Sequence, residues 1–425
     1  MTKAERIKNT IRETKERRKA LRPTVFQLKL QNLSGKKEEL LERAFLEAKW
    51  LYNWLVSDLE RLNMPANKAG VVEVKVGQTF EERTLTVLGS QVKQEIASRL
   101  KKLKENGHKV GALKPRRFIN SIPLKQYGVT YKLDFTRNRV RIQKLGEFRI
   151  LGLHQIPSGA EIASAVLVRK PSGYYLHVTC YLPREHFRRE PVAEAVGIDF
   201  GVGSKLTLSN GLKIDFEVNE TTRLKRLQRK LARAEKGSKN RGKLRLLLRR
   251  EYEKLNNRRK DAQNKVLAFL RLYEKVVFQD DCVKGWEVLF GRQVHSSGIG
   301  GMKTRLRDSL GTPIVVERTE LTTQECYACG ERHELSLSDR VIECGCGWKC
   351  DRDVNAALVI LRKGLGLSPD QAVGLDRPEL KPLEREAAAR ILGSNPYIRV
   401  SFPQRGSPPF QARVGGGHPG KTGSG

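Results

Sequence analysis

The chain has 425 residues, and its 81 lysines and arginines outnumber its 47 aspartates and glutamates, giving a formal net charge of +34 at pH 7. An excess of this size indicates a polyanionic partner, and nucleic acid is favoured over a merely basic surface. No apolar run approaches the roughly 20 residues that cross a bilayer, and residues 1–22 lack the apolar stretch of a signal peptide, so neither membrane association nor secretion is expected.

The N-terminal part of the sequence predicts a basic arm, a strand and helices. Residues 1–22 are rich in lysine and arginine, and we expect a frayed arm. Alternating apolar residues over 25–33 predict one strand, whereas apolar residues at helical spacing over 41–59 predict an amphipathic helix. A second helix is predicted over 90–105.

From residue 114 the pattern changes to short alternating strands broken by glycine and proline. Such a pattern is typical of a β-barrel-like module. We expect this barrel to comprise residues 23–35 and 114–190, with the helical part as an insertion at 36–113.

Acidic side chains stand at the ends of three predicted strands in the second half. Asp199 lies in GIDFG, Asp280 and Asp281 follow the apolar run VVF, and Glu317 ends PIVVE. Carboxylates at strand ends commonly hold a metal ion or catalyse a reaction in α/β folds. Between the first two segments, residues 219–262 predict a helical hairpin, split at KGSKNRGK, whose outer face is lysine and arginine.

Five of the seven cysteines lie in one short segment, which indicates metal binding in a reducing, cytosolic compartment rather than a disulfide framework. The preferred zinc ligands are Cys326, Cys329, Cys344 and Cys346, and Cys350 competes for the fourth place. Four thiolates leave no open position on the metal, so the zinc is predicted to be structural.

A predicted helix follows the cysteines directly, in CDRDVNAALVIL. Asp353 opens this helix, and Asp351 is interpreted as a flanking or capping residue. Residues 364–425 are rich in proline and glycine, and we expect them to form a disordered tail.

The segments GIDFG, VVFQDD and DRDVNAA, in this order and with the cysteine knuckle, resemble the TnpB family of transposon-encoded RNA-guided nucleases, which are relatives of the type V CRISPR effectors. The resemblance covers most of the chain, including the N-terminal strand, the EAKWLYNWL helix and the basic KGSKNR helices. DRDVNAA beside a cysteine-rich zinc ribbon is a specific signal, whereas GIDFG alone is a weak one.

The resemblance implies a multidomain α/β protein with an N-terminal β-barrel (wedge) domain and a helical recognition lobe. It also implies an RNase H-like (RuvC) nuclease domain over 191–318 and 351–363, with a zinc ribbon inserted at 319–350. The expected partners are a guide RNA and a double-stranded DNA target carrying a short adjacent motif. A monomer or a dimer on one RNA, in the prokaryotic cytoplasm near the nucleoid, is expected.

By the same resemblance, Asp199 and Asp353 are the first and last catalytic carboxylates, which with a third acid from a neighbouring strand bind two Mg²⁺ ions for phosphodiester hydrolysis. The family pattern IVIEDLNVKGM has a glutamate as the middle ligand, but this chain has Gln279 there. Three interpretations remain open: Asp281 supplies the third acid, Glu317 on the adjacent strand supplies it, or the chemistry is lost and the protein binds guided DNA without cutting it. Asp281 is preferred over Glu317.

Two other classes of protein share some of these features. A plain zinc-ribbon DNA-binding protein explains the charge and the cysteines, but not the acids at strand ends. A DDE-type transposase shares the RNase H-like fold, but it acts on transposon ends without RNA. Bound RNA therefore separates the guided interpretation from both.

Overall fold

The computed structural model describes residues 2–56, 105, 114–187, 190–201, 203–291, 294, 298–310, 313–336, 339–373 and 379–403. The chain divides into two compact units, residues 1–188 and 189–425, and their mixture of helices and strands confirms the expected α/β class. None of the described helices combines the length and apolar content that a bilayer span requires. Apart from residue 105, the helix predicted over 90–105 lies outside the described residues.

The first unit is built on a seven-stranded antiparallel sheet. Its described elements are α1 (Lys3–Ala20), β1 (Leu21–Gln31), α2 (Gly35–Val56), β2 (Ser121–Leu124), β3 (Tyr131–Asp134), β4 (Arg139–Ile142), β5 (Gly146–Leu151), β6 (Glu161–Lys170) and β7 (Gly173–Pro183). The strand order is β2-β6-β7-β1-β5-β4-β3. The Tyr131 hydroxyl of edge strand β3 donates to the Ala163 carbonyl oxygen of β6 over 3.2 Å. The sheet therefore curls back on itself into a nearly closed barrel, as predicted.

Helix α2 covers the apolar interior of this sheet. Leu41 and Phe45 of the helix are fully buried in one cluster with Ile122 and Phe148 of the strands. These residues recur at helical spacing on α2 and alternate with polar residues on the strands, so the apolar pattern alone is enough to predict both elements.

The expectation of a frayed arm over residues 1–22 is wrong. Residues 3–20 form helix α1, which begins with a capping box between Thr2 and Glu5. Near its end, Arg17 and Arg18 form ion pairs of 3.0 and 2.7 Å with Glu161 of the barrel. The helix carries few apolar residues, so it depends on caps and charge pairs, which an apolar periodicity does not reveal.

The second unit contains a six-stranded mixed sheet. Its described elements are β8 (Ala193–Phe200), β9 (Leu206–Leu208), β10 (Lys213–Phe216), α3 (Thr222–Arg233), α4 (Lys239–Leu270), β11 (Tyr273–Gln279), α5 (Val283–Phe290), α6 (Ile299–Ser309), β12 (Ile314–Val316), β13 (Val341–Glu343), β14 (Lys349–Asp351), α7 (Arg352–Gly364), α8 (Pro369–Val373), α9 (Pro382–Leu392) and β15 (Ile398–Ser401). The strand order is β12-β11-β8-β9-β10-β15. Strands β12, β11 and β8 run parallel, and β8, β9, β10 and β15 pair antiparallel. The basic hairpin α3–α4 breaks where the sequence predicts, and Ser238 caps the start of α4.

The two faces of this sheet carry different helices. Ile198, Phe200 and Phe278 lie in one apolar cluster with residues of α4, α6 and α9. On the opposite face, a Cβ added to Gly197 would lie 2.1 Å from the Ala357 carbonyl oxygen of α7, so only glycine permits this close approach. Since side chains alternate along a strand, Asp199 lies on the α7 face together with Gly197.

The expectation of a disordered tail over 364–425 is wrong for residues 364–373 and 379–403. They form α8, α9 and β15, and β15 extends the sheet by pairing with β10 from Lys213↔Ser401 to Phe216↔Ile398. Pro382 stands in the first turn of α9, where a missing amide hydrogen costs nothing. The prolines therefore mark element boundaries in a folded segment, and residues 404–425 lie outside the described part.

Candidate active site and zinc centre

The first predicted carboxylate, Asp199, lies near the carboxyl end of β8. Ile198 pairs with Phe278 of β11 in the parallel ladder, and Gln279 comes next on β11. Asp199 and Gln279 are therefore neighbours in the register and lie on the face that α7 covers. Gln279, which the resemblance puts at the position of the family's glutamate, therefore lies on the strand next to Asp199.

The last predicted carboxylate, Asp353, lies in the first turn of α7. Asp351 caps this helix, since its Oδ1 accepts from the backbone amides of Asp353 and Val354 over 3.1 and 3.2 Å, and this confirms its predicted capping role. Lys213 Nζ lies 2.8 Å from Asp351 Oδ2 and 3.9 Å from Asp353 Oδ2. The Asp353 carboxylate therefore stands at a positively polarised helix start, beside a lysine.

The electrostatics link Asp199 to two other carboxylates. Burial raises the pKa of Asp199 well above its ordinary value, and the negative charges of Asp353 and Asp281 raise it further, while Arg352 lowers it. A divalent cation would relieve this repulsion, because it stabilises the ionised form of all three acids. The donor set, hard carboxylate oxygens alone, fits Mg²⁺.

These three carboxylates do not form a tight cage. Of the described residues, these three acids do not have ligand atoms that all lie within 4.8 Å of one another.

Asp281, the preferred third acid, is held by a lysine. Lys303 Nζ of α6 donates to the Asp281 carbonyl oxygen over 2.9 Å and lies 3.4 Å from its Oδ2. Burial raises the pKa of Asp281, and Lys303 opposes that rise. Neighbouring Asp280 is exposed and pairs with Arg307 at 2.7 Å. The charge of Asp281 contributes to the raised pKa of Asp199.

Gln279 is buried, and both ends of its amide group have hydrogen-bond partners. Its nitrogen donates to the carbonyl oxygens of Glu317 and Glu320 over 3.0 and 2.7 Å. Its side-chain oxygen accepts from the Thr322 hydroxyl over 2.7 Å. Gln279 therefore fastens the loop that follows β12, and a carboxylate could not make the first two bonds.

Glu317, the other candidate for the third acid, lies at the end of β12 and is exposed. It lines a cavity of about 410 Å³ together with Glu320, Lys363 and residues of β12. The structure thus offers Asp281 beside Asp199, and places the Glu317 side chain in the wall of a separate cavity.

The four preferred zinc ligands come together. The sulfur atoms of Cys326, Cys329, Cys344 and Cys346 lie within 4.8 Å of one another, and the pairs Cys326–Cys346 and Cys329–Cys344 are 3.8 and 3.4 Å apart. Sulfurs about 2.3 Å from a tetrahedral zinc ion are roughly 3.8 Å apart, so the geometry fits zinc. Cys350 lies outside this group, buried in β14 where burial raises the pKa of its thiol to about 12.

The zinc segment is joined to α7 by Asn355. Its side-chain oxygen accepts from the Tyr327 amide at 3.1 Å and the Trp348 indole at 3.0 Å, and its nitrogen donates to the Glu325 carbonyl oxygen at 2.7 Å. The sequence suggests only a small packing residue at this position. One signal was available: a polar residue between Val354 and Ala356 lies on the buried face of the helix and needs partners.

In the first unit, Tyr52 and Asn53 of α2 contact Arg116, which precedes β2. The Asn53 side chain bonds both backbone groups of Arg116, over 2.7 and 3.0 Å. The Arg116 guanidinium lies 4.4 Å from the centre of the Tyr52 ring. Because the Tyr52 ring is buried, this contact holds the segment before β2 against α2.

Two segments of the chain match known protein families. Residues 177–277 match the family described as "OrfB_IS605: Probable transposase", and residues 308–360 match the family "Cas12f1-like, TNB domain". The first segment contains Asp199. The second contains the four clustered cysteines, Asp353 and Asn355.

Two curated relatives are similar over part of their length. A protein of Streptomyces pristinaespiralis named "Putative RNA-guided DNA endonuclease" is 32% identical over 228 residues, which are 50% of this chain and 56% of that protein. "Putative transposase R186" of Acanthamoeba polyphaga mimivirus is 28% identical over 210 residues, 43% of this chain and 41% of that protein. The chain thus spans about half the length of the curated relatives it matches.

Among solved structures, a chain in the cryo-EM structure of the Cas12f1-sgRNA-target DNA complex aligns with 77% of this chain and 83% of its own length. The TM-score is 0.45 and the identity 15%. A likeness of this size does not establish a shared fold.

Proposed function

The chain is TnpB-like, and we propose that it is an RNA-guided DNA endonuclease whose nuclease site is centred on Asp199 and Asp353. The observation that carries the proposal is the placement of three acids: Asp199 at the carboxyl end of β8, Asp281 just after β11, and Asp353 in the first turn of α7, the helix that covers this face of the sheet. The charges of Asp353 and Asp281 raise the pKa of Asp199. Three acids from a strand, a strand end and a helix start have no structural need to be neighbours, since their mutual repulsion costs stability.

Mg²⁺ would be held by Asp199 and Asp353, and when bound it supplies Lewis-acid stabilisation of the phosphate oxygens and an activated water. The chain's own residues prepare this site. Asp351 fixes the start of α7 and hence the Asp353 carboxylate, while Asn355 anchors the same turn to the zinc segment. Phe200 and Phe278, packed edge to face beneath the strands, keep the sheet edge rigid.

Guide and target would be bound mainly through phosphates. The α3–α4 hairpin presents exposed cations along two helices, among them Arg226, Arg229, Lys230, Lys243, Arg245 and Arg249. Each phosphate contact releases counterions, so binding should weaken steeply as salt rises. The target sequence would be read by base pairing with the guide, and the protein would read a short duplex motif and helix shape.

A second candidate function is guided DNA binding without cleavage. Gln279 favours this function, because it stands at the position of the family's glutamate. Its amide group is hydrogen-bonded to Glu317, Glu320 and Thr322. The two functions share the guide and the target, and differ only in whether the bound DNA is cut.

The test of guided recognition is to purify the full chain with the RNA it binds in cells and to sequence that RNA. We expect one defined RNA species with a variable segment, and tight binding only to duplexes that match the segment. A chain that binds DNA equally well after ribonuclease treatment would overturn both guided functions.

The third acid is tested on the same complex by comparing Asp281→Asn with Glu317→Gln. Asp281→Asn should lower cleavage by about two orders of magnitude or more, because it changes the charge beside Asp199. Glu317→Gln should leave cleavage within a few fold. The reverse pattern would assign the role to Glu317.

A further inference from the structure

Lys303 is a buried cation beside the acidic site. Its side chain is 8% exposed, and its ammonium group pairs with Asp281, whose side chain is 19% exposed. It also lies 5.4 Å from the centre of the Phe200 ring, next to Asp199 in the chain. A charge so far removed from water stays only where opposite charge and hydrogen bonds compensate it, so Lys303 and Asp281 depend on each other.

The charges of the site can be balanced residue by residue. Asp199, Asp353 and Asp281 carry three negative charges when ionised, and Lys303 removes one of them. Gln279, at the position where the family has a glutamate, adds none. Lys213, the cation near Asp353, is closer to Asp351 and is compensated there. Arg352 Nε lies 3.8 Å from Asp353 Oδ1 and offsets a second negative charge. The remaining negative charge of one is already offset by one divalent cation, whereas two such ions would leave a larger excess of positive charge before any substrate phosphate arrives.

The geometry agrees with this balance. Lys303 Nζ donates to the Asp281 backbone carbonyl oxygen over 2.9 Å and lies 3.4 Å from one of its carboxylate oxygens, Oδ2. The ligand atoms of the three carboxylates, all of which belong to described residues, do not all lie within 4.8 Å of one another. Asp281 is therefore paired with Lys303, and Asp199 and Asp353 remain as the two candidate metal ligands.

We propose that Lys303 takes the place of one metal ion in a site that elsewhere would hold two, so that the site binds a single divalent cation through Asp199 and Asp353. The proposal rests on the proposed function, which requires that a divalent cation bind there at all. Lys303 is a positioning residue: it fixes Asp281 and supplies permanent positive charge beside the bound ion. Asp281 thus contributes through Lys303 and not as a metal ligand.

The test measures how many Mn²⁺ ions bind to the full chain with its co-purified RNA. Free Mn²⁺ gives an electron paramagnetic resonance signal, and the decrease of this signal gives the number of bound ions. RNA also binds Mn²⁺, so the Asp199→Asn/Asp353→Asn variant on the same RNA serves as the blank, and zinc content is checked to be unchanged. We expect the parent to bind one ion per chain more than the Asp199→Asn/Asp353→Asn variant. A difference of two would overturn the proposal and leave the nuclease function standing, whereas a difference of zero would overturn the metal-dependent nuclease itself.

The role of Lys303 is tested by Lys303→Met, which keeps the length of the side chain and removes its charge. We expect this variant to bind a second ion, and Lys303→Met/Asp281→Asn to bind one again, since the second ion needs the released carboxylate. Lys303→Met alone leaves the buried Asp281 carboxylate without its partner, which costs stability. The double variant removes both charges of the buried pair, so it serves as the control for misfolding of the single variant. A folded Lys303→Met that still binds one ion would show that Lys303 does not occupy a metal position.

Discussion

The Thr322 hydroxyl donates a hydrogen bond of 2.7 Å to the side-chain oxygen of Gln279. That oxygen is the one atom with which an amide could bind a metal ion, and the two donor hydrogens of the same amide are directed to backbone carbonyl groups. Gln279 therefore holds a structural position, at the place where the family has a metal ligand.

The substitution Gln279→Glu should for this reason destabilise the fold and not simply restore a ligand. A carboxylate would face the carbonyl oxygens of Glu317 and Glu320 without a hydrogen to donate, at a cost of about 1–3 kcal/mol. Thermal denaturation of the metal-free chain measures this cost. The matched control is Gln371→Glu, because the Gln371 side-chain oxygen only accepts, from the Ser368 amide, and a carboxylate can accept equally well. Equal stability of Gln279→Glu and the control would contradict the assignment.

Asn355→Ala should loosen the zinc segment from α7. It leaves the Tyr327 amide, the Trp348 indole and the Glu325 carbonyl oxygen without their partner in a fully buried place, with a loss of roughly 2–4 kcal/mol. Chemical denaturation followed by tryptophan fluorescence measures the loss, and zinc release to a chelator should become faster. Asn256→Ala, an exposed position on α4, is the control and should be close to neutral. An Asn355→Ala chain that retains zinc and stability like the control would refute the coupling.

The raised pKa of Asp199 predicts how stability changes with pH when divalent metal is removed. Because the folded state binds the proton more tightly than the unfolded state, this group's contribution is fully present below the ordinary aspartate pKa and is lost as pH rises toward the raised value. Asp199→Asn removes the effect, so its melting temperature should exceed that of the parent by a few degrees at about pH 8 and by less at about pH 5.

Melting curves in metal-depleted buffer, with zinc retained, measure the difference between the parent and Asp199→Asn. Added Mg²⁺ should stabilise the parent and leave Asp199→Asn unchanged, because the ion relieves a repulsion that the variant lacks. If the melting temperatures of the two chains changed equally with pH, burial and the neighbouring charges would not raise the pKa of Asp199.

Leu392→Ala tests the folded segment after α7. Leu392 of α9 is fully buried in the core of the second unit, and its truncation should cost about 2–5 kcal/mol. Leu383 lies on the same helix with 66% of its surface exposed, so Leu383→Ala should change stability by less than about 0.5 kcal/mol. Similar effects of the two substitutions would mean that α9 does not pack on the sheet.

The elements that the sequence predicts are those with a repeated apolar pattern. The barrel strands, α2 and the split basic hairpin follow from such patterns, and the four zinc cysteines follow from ligand type and spacing. Helix α1 was missed because charge pairs with Glu161 hold it. The folded residues 364–373 and 379–403 do not follow from the sequence, because a high content of proline and glycine is also typical of disordered tails, although Pro382 begins a helix.

At the candidate site, the sequence locates Asp199, Asp353 and the choice between Asp281 and Glu317, but not the charges around them. Lys303 is one lysine among many in a highly basic chain, and only the packing of α6 brings it to Asp281. The bonds of Gln279 to Glu320 and Thr322 likewise join residues more than 40 positions apart. Contacts at such separations depend on the fold and leave no local signal in the sequence.

Cleavage of a matched duplex by the purified protein–RNA complex in Mg²⁺ tests the central claim most directly. The guide-matched duplex is compared with an unmatched one, and the parent with Asp199→Asn, which should still bind RNA and DNA. We expect cutting of the matched duplex by the parent alone. Guide-dependent binding of the matched duplex without any cutting would contradict the nuclease and establish the binder in its place.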